Sequence, residues 1–172
     1  MNPGTYDWTR FELVFYYDAP LEAVFRAWAT SGGLASFFIE RSVVTDGSGR
    51  ARAEDESAAT GDSYRWDWRQ DWSVEGTFTN VVENECVAFT FGRMSVAVTF
   101  APFEGQTEVH LVQTNIGDDP DGLVMGHLNC RSCWVFFLTN LKSVLEHGHD
   151  LRDSQSDRVA SMEVGFVPLS TR

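Results

Sequence analysis

The sequence contains very little lysine and little positive charge of any kind. Only Lys142 among its 13 basic residues is a lysine, and 25 acidic residues give a formal net charge of −12. Such a surface repels the phosphates of nucleic acids and of anionic lipid headgroups, so we expect neither partner. The acidic excess also suits a protein that works in concentrated salt, where self-repulsion is screened. A GC-rich genome that favours arginine over lysine is the alternative explanation.

Fingerprints of the commonest enzyme classes are also missing. The chain contains no G-x-S-x-G nucleophile motif, no P-loop and no glycine-rich dinucleotide fingerprint. No apolar run reaches transmembrane length, and no basic segment followed by an apolar block marks a secretory signal. Three cysteines is an odd number, which argues against a disulfide framework. We therefore expect a cytoplasmic protein with reduced thiols and no membrane partner.

A large apolar and aromatic fraction dominates what the sequence does contain. Its 172 residues, 43% apolar and 13% aromatic, suit one folded domain with a substantial core. "TRFELVFYY" (9–17) alternates as a half-buried strand does. Pro20 suits the first turn of a helix with an apolar stripe. The Gly32–Gly33 pair is expected to break that helix before a short second helix in "LASFF".

Most of the remaining chain predicts consecutive antiparallel strands followed by one helix. "ERSVV" suggests a strand, and the polar stretch 45–62 predicts a long exposed loop. From residue 63 onward, alternating segments are separated by short breaks such as "GR" and "FEGQ". These leave no room for helical crossovers, which indicates an antiparallel meander. Helical period then returns, with Gly148 as the expected end of the helix. Its apolar face comprises Cys130, Trp134, Phe137, Leu138, Leu141 and Leu145.

The helix and the sheet each have one apolar face, and they bury it most economically if the sheet curves around the helix. We therefore predict an α+β fold with helices segregated from strands. Such an arrangement tends to leave a cavity between helix and sheet, and apolar cavities bind apolar ligands. A fully packed aromatic core is the alternative. The residues expected to line the cavity are Phe37, Phe38, Trp66, Trp68, Met94, Trp134, Phe137, Leu138 and Leu141.

The stretch 127–150 is rich in side chains that bind metals or react. His127, Cys130 and Cys133 are three residues apart on a helix, so each step rises about 4.5 Å and rotates by about 60°. Three ligands spread in this way do not easily reach within about 2.0–2.3 Å of one zinc ion. Cys133 also falls inside the helix, away from the N-terminus where thiolates are activated. We expect the cysteines to be small apolar filler. The "HGHD" segment suits a helix C-terminus, with metal binding as its alternative.

Four segments carry a resemblance to a known family: "APLEAVFRAWATSGGLASFF", "GDSYRWDW", "VVENECVAFTFG" and "HLNCRSCWVFFLTNLKSVLEHGHDLR". They resemble the activator of heat-shock protein 90 ATPase homologue family of the START-like, or SRPBCC, superfamily, over about residues 9–152. The most specific part is W-x-x-x-L-x-x-L-K-x-x-L-E, from Trp134 to Glu146. We accordingly expect a START-like domain over residues 1–152 and a partly extended tail over 153–172.

The resemblance implies a helix-grip (START/Bet v-like) fold, in which a curved antiparallel sheet grips a long C-terminal helix. Two short helices follow the first strand in this fold. The resemblance also implies a deep apolar cavity, in which members of the superfamily bind lipids, sterols, hormones or polyketides. Some members are cyclases, but the superfamily has no universal catalytic motif, so the resemblance assigns no catalytic residue.

We expect from these patterns that the protein binds a small apolar molecule and is not an enzyme. One alternative is a co-chaperone-like regulator that acts through its surface on a heat-shock ATPase in the stress response. A second alternative is a cyclase or hydrolase, which needs an acid–base pair inside the cavity. We also expect the protein to be a monomer or a weak homodimer and to bind no metal or cofactor.

Overall fold

The structure, a computed structural model, describes residues 6–68 and 72–153. Seven strands, three α-helices and one π-helical segment follow one another in these residues. In chain order they are β1 (Phe11–Tyr17), α1 (Leu21–Ala29), α2 (Ser31–Phe37), β2 (Arg41–Thr45), β3 (Ser63–Asp67), β4 (Ser73–Val82), β5 (Cys86–Phe91), β6 (Met94–Phe103), β7 (Gln106–Thr114), the π-helical segment (Gly122–Asn129) and α3 (Cys130–His147).

All seven strands form one antiparallel sheet in the order β1-β7-β6-β5-β4-β3-β2. Neighbours in sequence from β2 to β7 are neighbours in the sheet, so the predicted meander is confirmed. β1 pairs with β7, with Leu13 opposite Leu111. The two short helices therefore carry the chain from one edge of the sheet to the other. Among the described residues no helix is both long and apolar enough to cross a bilayer.

Helix α3 packs its aromatic face against the curved sheet. Trp134, Phe137, Leu138 and Leu141 on that face are all buried. Gly148 ends the helix as expected, in the left-handed conformation (φ 65°) that glycine adopts without a steric penalty. This is the predicted α+β helix-grip fold, with two short helices after the first strand. Residues 154–172 of the predicted tail lie outside the described residues.

The boundary between α1 and α2 differs from the prediction. The break falls at Thr30, whose hydroxyl accepts a hydrogen bond from the Gly33 amide (3.0 Å) and caps α2. The Gly32–Gly33 pair therefore lies inside α2, not before it. Gly33 is required there because a Cβ atom would collide with the main-chain oxygen of Arg26 in α1. Pro20 precedes the first turn of α1 as its N-cap residue, with φ −58° and ψ 139°.

The loop over residues 46–62 is more closely packed than its polar composition predicted. Arg52 forms ion pairs with Glu56 (2.6 Å) and with Asp62, whose side chain is only 5% exposed. The Ala58 amide donates to the carbonyl of Ala29, 2.7 Å away at the end of α1. The prediction of an exposed loop is thus wrong at these positions. Its acidic and basic side chains pair with one another. Backbone hydrogen bonds, from Ala58 to Ala29 and from Gly32 to Glu54 (2.9 Å), attach the loop to the two short helices.

Candidate functional site

An aromatic cluster fills the region between α3 and the sheet. Of the nine residues predicted to line a cavity, seven are buried: Phe37, Phe38, Trp66, Trp134, Phe137, Leu138 and Leu141. Trp68 and Met94 are half-buried and pack against this cluster. The structure therefore brings the nine predicted residues to one region of the protein. They come from three places, namely the end of α2, the strands and the inner face of α3.

Phe38 lies at the centre of this aromatic cluster. It follows directly on α2, and its ring is stacked on the Trp134 indole with 4.8 Å between centroids and 27° between planes. Four further rings surround it. Their centroids lie at 5.0 Å (Phe137), 5.2 Å (Trp68), 5.6 Å (Trp66) and 6.0 Å (Phe37). One small aromatic side chain is thus enclosed by five others.

A line of aromatic rings connects this centre to the surface. Trp72 is 56% exposed, and its ring lies 4.7 Å from that of the half-buried Trp68. Trp68 in turn contacts Phe38 in the interior, and it approaches Phe91 at the end of β5 to 6.2 Å. Phe91 lies 6.1 Å from Trp134. We call Trp68, Trp72 and Phe91 the aromatic path.

Gln113 is a buried polar residue of the site that sequence reasoning missed. It is 0% exposed, and its side-chain oxygen accepts a 2.8 Å hydrogen bond from Trp134 Nε1. Its Nε2 group donates to the carbonyl of Gly126 in the π-helical segment at 3.0 Å. The strand "TEVHLVQ" alternates with Val109, Leu111 and Gln113 inward, so a glutamine at an inward position was the available signal.

Trp28 also belongs to the interior, although the sequence placed it only on the apolar stripe of α1. It is 0% exposed, and its ring contacts those of Phe37 (5.2 Å) and Trp134 (5.7 Å). Nothing in the sequence of α1 shows which part of the core its stripe meets. The contact depends on the crossing of α1 over the sheet, which is a tertiary feature.

The reactive-looking residues at the start of α3 form no metal or redox centre in the described structure. Cys130 and Cys133 are half-buried, and burial raises the pKa of both thiols, that of Cys133 to about 11. His127 is buried, with Nδ1 2.9 Å from the carbonyl of Trp8 and Nε2 3.0 Å from the hydroxyl of Tyr6. A carbonyl only accepts, so Nδ1 carries the proton and Nε2 accepts from the tyrosine.

Metal-binding geometry is not found elsewhere in the described residues either. No group of three or more His, Cys, Asp or Glu side chains within 6–68 and 72–153 is placed to hold an ion. In the "HGHD" segment His147 and His149 are exposed. Asp150 accepts hydrogen bonds from Asn140 (3.0 Å) and Arg152 (2.7 Å). Arg152, two residues after the segment, donates in turn to the carbonyls of Ala35 and Ile39 (2.8 Å each) at the end of α2.

A curved antiparallel sheet that holds a long C-terminal helix over an aromatic interior defines the helix-grip class of folds. The family model described as Activator of Hsp90 ATPase homolog 1-like protein matches residues 18–146. The chain belongs to this family, as its sequence resemblance indicated. A search of curated proteins finds no match.

Solved structures with low sequence identity share the fold. Protein SSP2350 from Staphylococcus saprophyticus is 24% identical with a TM-score of 0.68, and the match covers 84% of this chain and 97% of that one. The Aha1 dimer from Colwellia psychrerythraea is 18% identical with a TM-score of 0.64, over 81% of this chain and 97% of that one. Protein MLL2253 from Mesorhizobium loti is 14% identical with a TM-score of 0.65, over 81% and 98%.

Proposed function

We propose that the protein binds a small hydrophobic molecule between the sheet and α3. The observation that carries this proposal is the environment of Phe38. Its ring is enclosed by five aromatic rings, and a line of rings leads from it through Trp68 to the exposed Trp72. Sites for small molecules are lined predominantly by apolar and aromatic side chains, as the surroundings of Phe38 are. Phe38 itself occupies the place that an apolar ligand takes when it enters.

Rotation of the Phe38 side chain is the movement that the proposal requires. The main chain on both sides of Phe38 is held, because Asn140 donates to the carbonyl of Phe37 (2.8 Å) and Arg152 to that of Ile39 (2.8 Å). The ring therefore leaves its place by turning about its own side-chain bonds, without unfolding α2. Trp68 contacts Phe38 and connects it with Phe91 and Trp72 in the aromatic path, so we expect the ligand to enter on this side.

The test is titration with the neutral fluorophore N-phenyl-1-naphthylamine. We expect one molecule to bind per chain and to quench tryptophan emission, because Trp66 and Trp134 border the site. The substitution Phe38→Ala should strengthen binding at least about tenfold, since the ligand no longer displaces a buried ring. Phe103→Ala is the control, because Phe103 is 43% exposed and outside the cluster. Absence of binding to both wild type and Phe38→Ala would refute the proposal.

We also propose that binding is not coupled to a reaction. General acid–base catalysis requires a group that exchanges protons near neutral pH within reach of the ligand. The rings around Phe38 carry no such group. The nearby thiols of Cys130 and Cys133 have pKa values raised by burial, which disfavours the nucleophilic thiolate. Three unpaired thiols also support a reducing, cytoplasmic location.

Regulation of a heat-shock ATPase is the second candidate function. It is favoured by the family match, whose description names an activator of Hsp90 ATPase, and by the Colwellia neighbour, which is named Aha1. An acidic surface can steer a protein to a basic partner. If this function is correct, adding the protein changes the rate at which heat-shock protein 90 from the same organism hydrolyses ATP.

We expect the free protein to be a monomer or a weak homodimer.

A further inference from the structure

Two buried indole groups in the aromatic interior lack a hydrogen-bond acceptor. Trp28 and Trp66 are both 0% exposed. Within residues 6–68 and 72–153, neither Nε1 atom has a hydrogen-bond partner. Trp134, in the same interior, shows the usual arrangement, because its Nε1 donates to Gln113. Buried polar groups in native proteins are nearly always paired, so two unpaired donors in one site require an explanation.

Both indoles border the pair of stacked rings at the centre of the site. Trp28 lies 5.7 Å from Trp134, and Trp66 lies 5.6 Å from Phe38. Phe38 and Trp134 are themselves stacked at 4.8 Å. A flat molecule that replaces the Phe38 ring on Trp134 therefore also lies against the Trp66 indole. This position connects the unpaired donor of Trp66 with the proposed ligand.

The chemistry of the donors restricts the ligand to one class. An indole N–H group donates and cannot accept, so its complement is an acceptor such as a carbonyl or ether oxygen. The Gln113 oxygen is already engaged by Trp134. The rings around Phe38 carry no cationic group, and a buried carboxylate without a cation is strongly disfavoured. A charged ligand such as a fatty-acid anion therefore does not fit.

We infer that the site takes a neutral, flat, apolar molecule with at least one carbonyl or ether oxygen, which accepts from Trp66. This inference rests on the proposed function and adds the chemical class of the ligand. The oxygen satisfies a donor that is unpaired in the free protein, whereas the ring system stacks on Trp134. A pure hydrocarbon of the same shape fills the space but leaves both donors unpaired.

Fluorene and 9-fluorenone provide a matched pair of probes, because they differ in a CH₂ group and a carbonyl. Calorimetric titration of the wild type should show 9-fluorenone binding about tenfold more tightly, the ratio expected for one hydrogen bond in an apolar site. Fluorenone-4-carboxylate should bind more weakly than 9-fluorenone. Equal affinity of fluorene and 9-fluorenone would overturn the inference and leave the proposed function standing. Failure of both to bind would refute the proposed function itself.

Variants locate the donor. Trp66→Phe keeps an aromatic ring and removes the N–H group, so this variant should bind both probes with a ratio near one. Trp8→Phe, at a residue 40% exposed and outside the aromatic cluster, should keep the tenfold preference. Loss of the preference in Trp8→Phe, or its persistence in folded Trp66→Phe, would contradict the inference. The wild-type comparison of the two probes decides the matter if Trp66→Phe does not fold.

Discussion

Asn140 joins three separate parts of the chain at a single buried side chain. It is 0% exposed on α3, and its amide nitrogen donates to the Phe37 carbonyl (2.8 Å) and to Asp150 (3.0 Å). Its oxygen accepts from the Leu151 amide at 2.7 Å. The backbone beside Phe38 and the segment after α3 are thus fixed by one residue, which keeps the site in position.

We predict that Asn140→Ala lowers the free energy of unfolding by about 2–4 kcal/mol. The substitution removes one buried and two part-buried hydrogen bonds and leaves the buried carbonyl of Phe37 without its donor. Urea unfolding followed by tryptophan emission measures the change. Thr139→Ala is the matched control, because Thr139 is exposed and its hydroxyl bonds only within the helix, to Val135 (2.8 Å). A loss below about 1 kcal/mol, or an equal loss in the control, would show that Asn140 does not hold these segments.

Sequence reasoning predicted apolar site residues better than polar ones. Helical period placed Trp134 and Phe137 on the inner face of α3, because burial of such residues follows a local repeat. The same repeat cannot identify Asn140, whose partners Phe37 and Asp150 are brought together by the fold. Gln113 lies at an inward position of β7, but its role depends on Trp134 and Gly126. Hydrogen-bond partners distant in sequence leave no periodic signal.

Among the elements, the loop over residues 46–62 shows most clearly how charge organises local structure. The pKa of Glu56 is lowered from its ordinary 4.5 to about 2. The main cause is the hydrogen bond from the Arg50 side chain, and the Ala53 amide and the Arg52 guanidinium also donate to this carboxylate. The Ser48 hydroxyl and the backbone amide of Arg50 likewise lower the pKa of Asp46 to about 2. Composition predicted exposure here, because pairing between neighbouring opposite charges is not visible in composition. The Gly32–Gly33 pair suggested the wrong helix boundary for a similar reason. Gly33 lies inside α2 because α1 passes too close to its Cα atom for a side chain, and sequence does not show this contact.

Because of this loop, the stability of the folded protein should depend on pH between about pH 5 and pH 2. A carboxyl group whose pKa is lowered by folding stabilises the native state above its unfolded pKa. That stabilisation is lost as the pH falls from about 4.5 towards 2. We expect urea midpoints to fall more steeply for the wild type than for Glu56→Gln between about pH 5 and pH 2. Glu54→Gln, an exposed position in the same loop, controls for the loss of one negative charge. Identical pH profiles for wild type and Glu56→Gln would contradict the account.

For the whole molecule, the order of elements was predictable and the packing was not. Alternating strands without crossovers predicted the meander, and the aromatic stripe of α3 predicted its place on the sheet. The register between β1 and β7 and the enclosure of Phe38 by five rings depend on contacts distant in sequence. Sequence patterns therefore predicted which residues lie together in the interior, without distinguishing an open cavity from one that a protein side chain fills.

The net charge of −12 leads to a prediction about salt. Screening between surface charges is largely complete at a few tenths molar salt, because the Debye length is already about 10 Å at 0.1 M. If the acidic surface is an adaptation to concentrated salt, the melting temperature should continue to rise between about 0.3 M and about 2 M sodium chloride. Thermal unfolding followed by circular dichroism measures this rise. A flat response over that range would assign the acidic excess to genome composition.

The most direct test of binding in the aromatic interior uses the six tryptophans as reporters. Their indole N–H groups give six separate signals in the proton–nitrogen spectrum of ¹⁵N-labelled protein. On saturation with 9-fluorenone, we expect the signals of Trp66 and Trp134 to shift, because their rings border the place of Phe38. The signal of Trp8 should not move. If 9-fluorenone binds and these two interior signals stay unchanged while Trp8 or Trp72 shifts, the ligand lies on the surface and the central claim is wrong.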